Sequence, residues 1–175
     1  MKFIRNILVL CLMVFFINCS TINVDYEHDP GANFASYKFY DWFPVPKKNV
    51  RYDLIIKQIK HEMEKQLESR GFIKVSKKPD FLISLHGAIQ QFLSYEDFRF
   101  LREQYEPYWA RRRMDFAQYD EDTLIIDFLD TKTKTIFYRG TVTAFIMEPT
   151  AEKRVKAINE AVTKTLDNFQ MLQSR

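Results

Sequence analysis

The residue types that most often carry chemistry are scarce in this chain, and each scarcity removes a class of function. Two of its 175 residues are cysteine, Cys11 and Cys19. They form no Cys-x-x-Cys pair, the spacing that zinc and dithiol sites use. The three histidines, His28, His61 and His86, stand far apart. A zinc site needs three or four ligands converging on one point, so no metal centre and no cofactor is expected. Glycine occurs four times, which argues against a phosphate-cradling loop and against a flexible linker. No Gly-x-Ser-x-Gly elbow is present to hold a nucleophilic serine. Internal repeats and low-complexity tracts are absent as well. The apolar run at 7–17 has 11 residues. As a helix it would span about 17 Å against about 30 Å of hydrocarbon, too short for a comfortable transmembrane segment.

That short run is still the most informative stretch. Lys2 and Arg5 precede it, and Asn18, Cys19 and Ser20 follow as the chain turns polar. A positive start, an apolar middle and a processing site make up a secretory signal peptide. A cysteine directly after the apolar run, with no Ala-x-Ala-like site nearby, resembles the lipobox of bacterial lipoproteins. Phe16-Ile17-Asn18 stand where Leu, a small residue and Gly or Ala are usual. The resemblance implies that residues 1–18 are a signal peptide cut before Cys19. It further implies that the Cys19 sulfur takes diacylglycerol and that the new amine is acylated. An uncleaved signal anchor and cleavage without a lipid are the alternatives.

The chain from 19 to 175 has the size of one domain, and about 70 percent of its unfolded surface can be buried without a metal or disulfide. Loss of Lys2 and Arg5 brings Lys+Arg from 26 to 24, against 23 Asp+Glu. A net charge near +1 makes a poor polyanion binder. With Cys11 removed and Cys19 acylated, no disulfide can form. Aromatics are heavy, with 16 Phe and 9 Tyr.

Residues 20–27 alternate, with Ile22, Val24 and Tyr26 on one face, and predict a strand that starts almost at the lipid. His28-Asp29-Pro30-Gly31 signals a turn. Residues 37–43 predict an aromatic strand ended by Pro44 and Pro46. Asp53 is a candidate cap for a first helix carrying Ile56, Ile59, Met63 and Leu67, and Gly71 is its stop. Glu62, Glu64, Lys65 and Glu68 are expected to face water. A short strand at 72–75 and a stronger one at 81–89 follow.

Val24-Asp25-Tyr26-Glu27 and the stretch Asn33-Phe34-Ala35-Ser36-Tyr37-Lys38-Phe39-Tyr40-Asp41-Trp42 resemble the opening of a bacterial lipoprotein family, domain of unknown function 4136. Arg70-Gly71-Phe72 and Pro79-Asp80-Phe81-Leu82-Ile83 resemble its helix stop and next strand. Thr123-Leu124-Ile125-Ile126-Asp127 and Phe137-Tyr138-Arg139-Gly140 resemble its late hairpin. Phe39, Asp41 and Tyr138 depart from the family's habit of Thr, Ala and Trp. The family has no settled activity, so the resemblance implies an address and a fold and leaves the chemistry open.

Residues 123–130 and 135–145 predict two strands. Leu124, Ile126 and Phe128 are placed on the core face of the first, and Ile136, Tyr138, Val142 and Ala144 on one face of the second. Gly140 falls in that row, where another backbone could approach closely. Asp127 points off the core face, where Lys or Arg of the neighbouring strand could meet it, and Asp130 reads as a turn residue bonding its own backbone. Thr150 is a candidate cap for a last helix with Val155, Ile158, Val162, Leu166 and Phe169 as its apolar stripe. The expected class is α+β: one curved, largely antiparallel sheet of about six strands, with both amphipathic helices on one face.

Between the strands, residues 92–119 form an aromatic and Arg-rich insertion. A short helix at 95–104 is expected, followed by Tyr108, Trp109, Arg111, Arg112 and Arg113. Aromatic and Arg side chains are enriched at interfaces, so these five residues are the candidate partner or membrane surface. The competing reading folds those aromatics back over the uncovered sheet face as a private lid. An exported protein meets no routine nucleic acid, so that partner is not expected. Asp120, Glu121 and Asp122 are adjacent and point apart, unlike paired catalytic carboxylates. Ser84 and His86 share a strand face, which alone is no triad. The expected protein is therefore a non-catalytic envelope lipoprotein with a binding or assembly role. An envelope enzyme acting on lipid or glycan, and a lipid carrier, are the alternatives.

Overall fold

The computed structural model describes residues 22–44, 50–87, 123–143 and 150–174, with 50–53, 86 and 87 described in backbone only. Among these residues six strands and two helices follow one another: β1 (Asn23–His28), β2 (Phe39–Trp42), α1 (Val50–Ser69), β3 (Ile73–Lys74), β4 (Phe81–Gly87), β5 (Leu124–Asp130), β6 (Thr135–Thr143) and α2 (Ala151–Gln173). A 3-10 turn, Phe34–Ser36, lies between β1 and β2. The class is α+β, as the sequence predicts. The strands form one open sheet in the order β1-β6-β5-β4-β2-β3. β1, β6, β5 and β4 pair antiparallel, whereas β2 runs parallel to both β3 and β4. The sheet is thus mixed rather than largely antiparallel. Parallel neighbours need a long crossover, and α1 supplies one between β2 and β3.

One aromatic-rich core unites the sheet with both helices. Ile59, Met63 and Leu67 of α1 and Ile158, Ala161, Val162, Leu166 and Phe169 of α2 share it with Phe81, Ile83, Leu124, Ile126, Phe128, Tyr138 and Val142. The helices run parallel. Asn159 Nδ2 donates to Glu62 Oε1 at 2.9 Å, Gln66 Nε2 to Thr163 Oγ1 at 3.0 Å, and Arg70 Nη2 pairs with Asp167 Oδ1 at 2.6 Å. Each step of one turn on α1 is matched by one turn on α2, which fixes both direction and register. Glu62 and Glu64, expected in water, are half-buried instead, because this seam and Trp42 engage them.

The helix ends obey the local chemistry. Phe72 N donates to Leu67 O and Gly71 N to Glu68 O, with Gly71 at φ +86°. This is a Schellman stop, whose left-handed residue favours glycine. Thr150 Oγ1 accepts from Lys153 N at 3.3 Å and caps α2. Asp53 is not a cap, since α1 begins at Val50 and encloses it. Val155 leaves the predicted stripe: it is 55% exposed, while Ile158, one turn on, is buried. On β6 a bulge shifts the register, with Phe128 opposite Tyr138 and Leu129 opposite Ile136. Phe137 is the extra residue and turns into the core, and Ile136 leaves the row predicted for it.

Gly140 does what its row implies. A Cβ there would lie 2.8 Å from Thr165 Cγ2 of α2. Gly140→Ala is therefore expected to cost about 1–3 kcal/mol by overpacking. Thr165→Ser removes the opposing methyl, and in the double variant it should recover most of the loss. Urea denaturation of the four proteins checks the coupling; additive losses would refute the contact.

Candidate functional site

β5 is buried on both faces, although the helices cover only one. Leu124, Ile126 and Phe128 face the helices, while Ile125, Asp127 and Leu129 are equally inaccessible on the other side. At the centre of that second face Asp127 and Arg139 stand in register on β5 and β6. Arg139 Nε donates to Asp127 Oδ1 at 2.7 Å and Nη2 to Oδ2 at 2.8 Å. This two-point geometry matches the planar guanidinium to the carboxylate. Ser84, also buried, pairs in register with Asp127, and exposed Glu27 with Arg139. A polar row thus crosses four strands, with Ile125 and Leu129 on either side of it on β5. Asp127 meets a neighbouring-strand cation, as its alternation predicts.

A second polar group ties the sheet at its opposite end. Asp130 Oδ1 accepts from Lys132 N at 2.6 Å and Thr133 N at 2.8 Å, the turn predicted for it. Its other oxygen accepts from Tyr37 Oη at 2.7 Å. Burial opposes ionisation of Asp130, but the Thr133, Tyr37 and Lys132 hydrogen bonds outweigh it and hold its carboxyl below the usual range. Burial and the bond to Asp130 push the Tyr37 phenol well up. Nearby, Glu64 Oε1 accepts from Trp42 Nε1 and Lys74 Nζ, both at 2.5 Å. Burial again opposes ionisation, and these donors win, lowering the Glu64 carboxyl. Burial, with the charges of Glu64 and Glu68, pushes the Tyr40 phenol up to about 12.

These shifts have a sign. A carboxyl lowered in the folded state stabilises it above the unfolded value, and that contribution is lost as pH falls through the folded value. Thermal stability should therefore weaken on the acid side of about pH 4. Tyr37→Phe, which deletes one donor to Asp130, should flatten that acid loss. An unchanged slope in the Tyr37→Phe protein would show that Asp130 does not carry it.

The residues singled out in the sequence, Cys19, Tyr108, Trp109, Arg111, Arg112 and Arg113, lie outside the described residues, as do those of the helix expected at 95–104 and of the expected lid. What brackets them is described. Gly87 pairs with Leu124, Leu124 with Val142, and Val142 with Val24. The chain therefore leaves the sheet after β4 and re-enters it at β5 on one edge, the end at which β1 starts. Connections from β2 into α1 and from β6 into α2 leave at that same end, because β2 runs parallel to β4 and β6 closes on Asn23. His61 is exposed on α1, and Ser84 is buried on β4. Among the described residues no three metal-ligating side chains come together, and no helix is long and apolar enough to cross a membrane. Sequence reasoning missed the exposed Leu54 and Val155, at 65% and 55%, near the starts of α1 and α2. The helical spacing of Val155 read as core because periodicity does not show where the sheet stops.

An open mixed sheet with two parallel helices on one face and a buried ion pair on the other defines a small α+β domain. The chain belongs to the family described as Domain of unknown function (DUF4136), whose model matches residues 23–169. A DUF4136 family protein from Bacteroides thetaiotaomicron shares its fold, with a TM-score of 0.53 and 16% identity over 90% of this chain and 100% of that one. A PDZ domain protein from Parabacteroides distasonis is similar over 90% of this chain and 38% of its own, with a TM-score of 0.50 and 11% identity. No curated protein sequence matches the chain.

Proposed function

We propose that the protein is a lipid-anchored envelope protein whose single domain works by binding or assembly rather than by turnover. The observation that carries this reading is the distance from anchor to fold. β1 begins at Asn23, four residues after the lipobox-like Cys19, and enters the sheet at once. An anchor spliced into a strand holds the domain against the bilayer surface. Among the described residues Asp127, Arg139, Asp130 and Glu64 are engaged in ties between elements, and this reading gives them a structural part. Tyr108, Trp109, Arg111, Arg112 and Arg113 belong to a segment whose two ends leave the sheet on the anchor side, which suits a membrane or partner contact. Ser20 is not the Asp that commonly retains lipoproteins at the inner membrane, so the proposed address is the outer membrane.

Metabolic palmitate labelling of wild type and Cys19→Ala tests the anchor. Wild type should carry label, partition with membranes and begin at Cys19 by mass, and the variant should lose the label. An unlabelled wild type with residues 1–18 still attached would overturn the proposal. Pull-down from envelope extracts with and without residues 95–119 then tests whether that segment binds a partner.

A further inference from the structure

We infer that the first turns of α1 and α2 form a surface that rests on the anionic headgroups of the bilayer holding the anchor; this deepens the lipoprotein reading and rests on it. The two helices run parallel, so their starts lie side by side. α2 is aligned with β1. Its Thr165 lies against Gly140, the register partner of Tyr26, and its Gln173 Nε2 donates to Phe34 O and Tyr37 O beyond the far end of β1. Both helices therefore begin on the side from which the chain arrives out of Cys19.

The reach of the two paths matches. From the Thr165 level back to Ala151 is 14 residues of helix, about 21 Å at 1.5 Å each. From Tyr26 back to Cys19 is seven residues, at most about 25 Å of extended chain. A domain tethered so closely cannot stand off the membrane with its helix starts in free water.

The chemistry of those turns fits such a surface. Leu54 is 65% exposed and Val155 is 55% exposed, although Ile59 and Ile158, further along the same helices, are buried. Around Val155 stand Lys153, Arg154 and Lys156 against one acid, Glu152. Lys153 and Lys156 are exposed and Arg154 is half-exposed. Apolar side chains among cations suit an anionic lipid interface, where the chains bury into the headgroup boundary and the charges pair with phosphate. The opposite end of the fold also carries cations, Lys77, Lys78, Lys132 and Lys134, beside Asp29 and Asp80, so it is the short reach to Cys19 that selects the helix starts and makes the far end the control.

The test uses the intact protein reconstituted into vesicles of phosphatidylcholine with or without phosphatidylglycerol. An environment-sensitive fluorescent amino acid is encoded at position 155 or, as the far-end control, at 132. Nitroxide-bearing headgroups should quench the probe at 155 more than the probe at 132. The difference should grow with phosphatidylglycerol and fall to its value in neutral vesicles in the triple variant Lys153→Ser, Arg154→Ser, Lys156→Ser. Equal quenching at 155 and 132 overturns the inference, as does a difference indifferent to anionic lipid. A probe at 155 shielded only after envelope extract is added would assign the surface to a protein instead. The mass of the same preparation reports acylation of Cys19 separately, so loss of the anchor and loss of the contact are told apart.

Discussion

Asp127→Ala should destabilise the domain by about 3–5 kcal/mol, the range measured when one member of a buried ion pair is removed. Asp127 is fully inaccessible, and its partner Arg139 lies beneath the same surface. Both carboxylate oxygens face the guanidinium at 2.7 and 2.8 Å. Removal of one charge leaves the other in a medium where its desolvation is poorly repaid. For a domain of this size each kcal/mol is worth about 2–4 °C, so the melting temperature should fall by on the order of 10 °C. The double variant Asp127→Leu, Arg139→Met should regain most of the loss, because apolar residues of similar volume replace such pairs at little or no net cost. Urea denaturation gives both numbers. A loss below about 1 kcal/mol for Asp127→Ala would mean that solvent reaches the pair.

The second large effect is expected from Phe169→Ala, at about 3–5 kcal/mol. The Phe169 ring is fully buried and lies 4.7 Å from Phe128 and 5.3 Å from Tyr138, both edge-to-face. It also contacts Phe34 of the 3-10 turn and Phe72 behind the α1 stop. One side chain thus joins α2 to the sheet, the β1–β2 connection and the end of α1. Its loss removes buried area, leaves a cavity and breaks ring pairs worth about 0.5–1.5 kcal/mol each. Phe169→Leu keeps most of the volume and should cost less. Val155→Ala, on the exposed first turns of the same helix, is the control and should stay within about 0.5 kcal/mol. If the two alanine variants unfold alike, α2 does not pack on the sheet as described.

Local pattern carried the elements because their causes are local. Strict alternation at Ile22, Val24 and Tyr26, a left-handed glycine at 71 and a hydroxyl at 150 each act within a turn of themselves. The Asp130 turn was legible for the same reason. Three details were not. The bulge that swaps Ile136 for Phe137 depends on how β5 and β6 are aligned, which neither strand encodes alone. The crossover that makes β2 parallel to its neighbours depends on where α1 lands. Val155 obeys the helical period perfectly, and only the finite length of the sheet leaves it outside.

What the sequence by itself determined is the family, the α+β class, the α1 stop, the α2 cap and the placing of Asp127 off the core face, because these follow from spacing and backbone chemistry within short windows. The tertiary structure alone decided the strand order, the two-point partner of Asp127, the parallel seam of the helices and the end of the sheet at which they begin. Those facts join separate elements, from twelve positions apart at Asp127 and Arg139 to 97 at Gln66 and Thr163, and such pairs meet only when burial of one shared core brings their elements together.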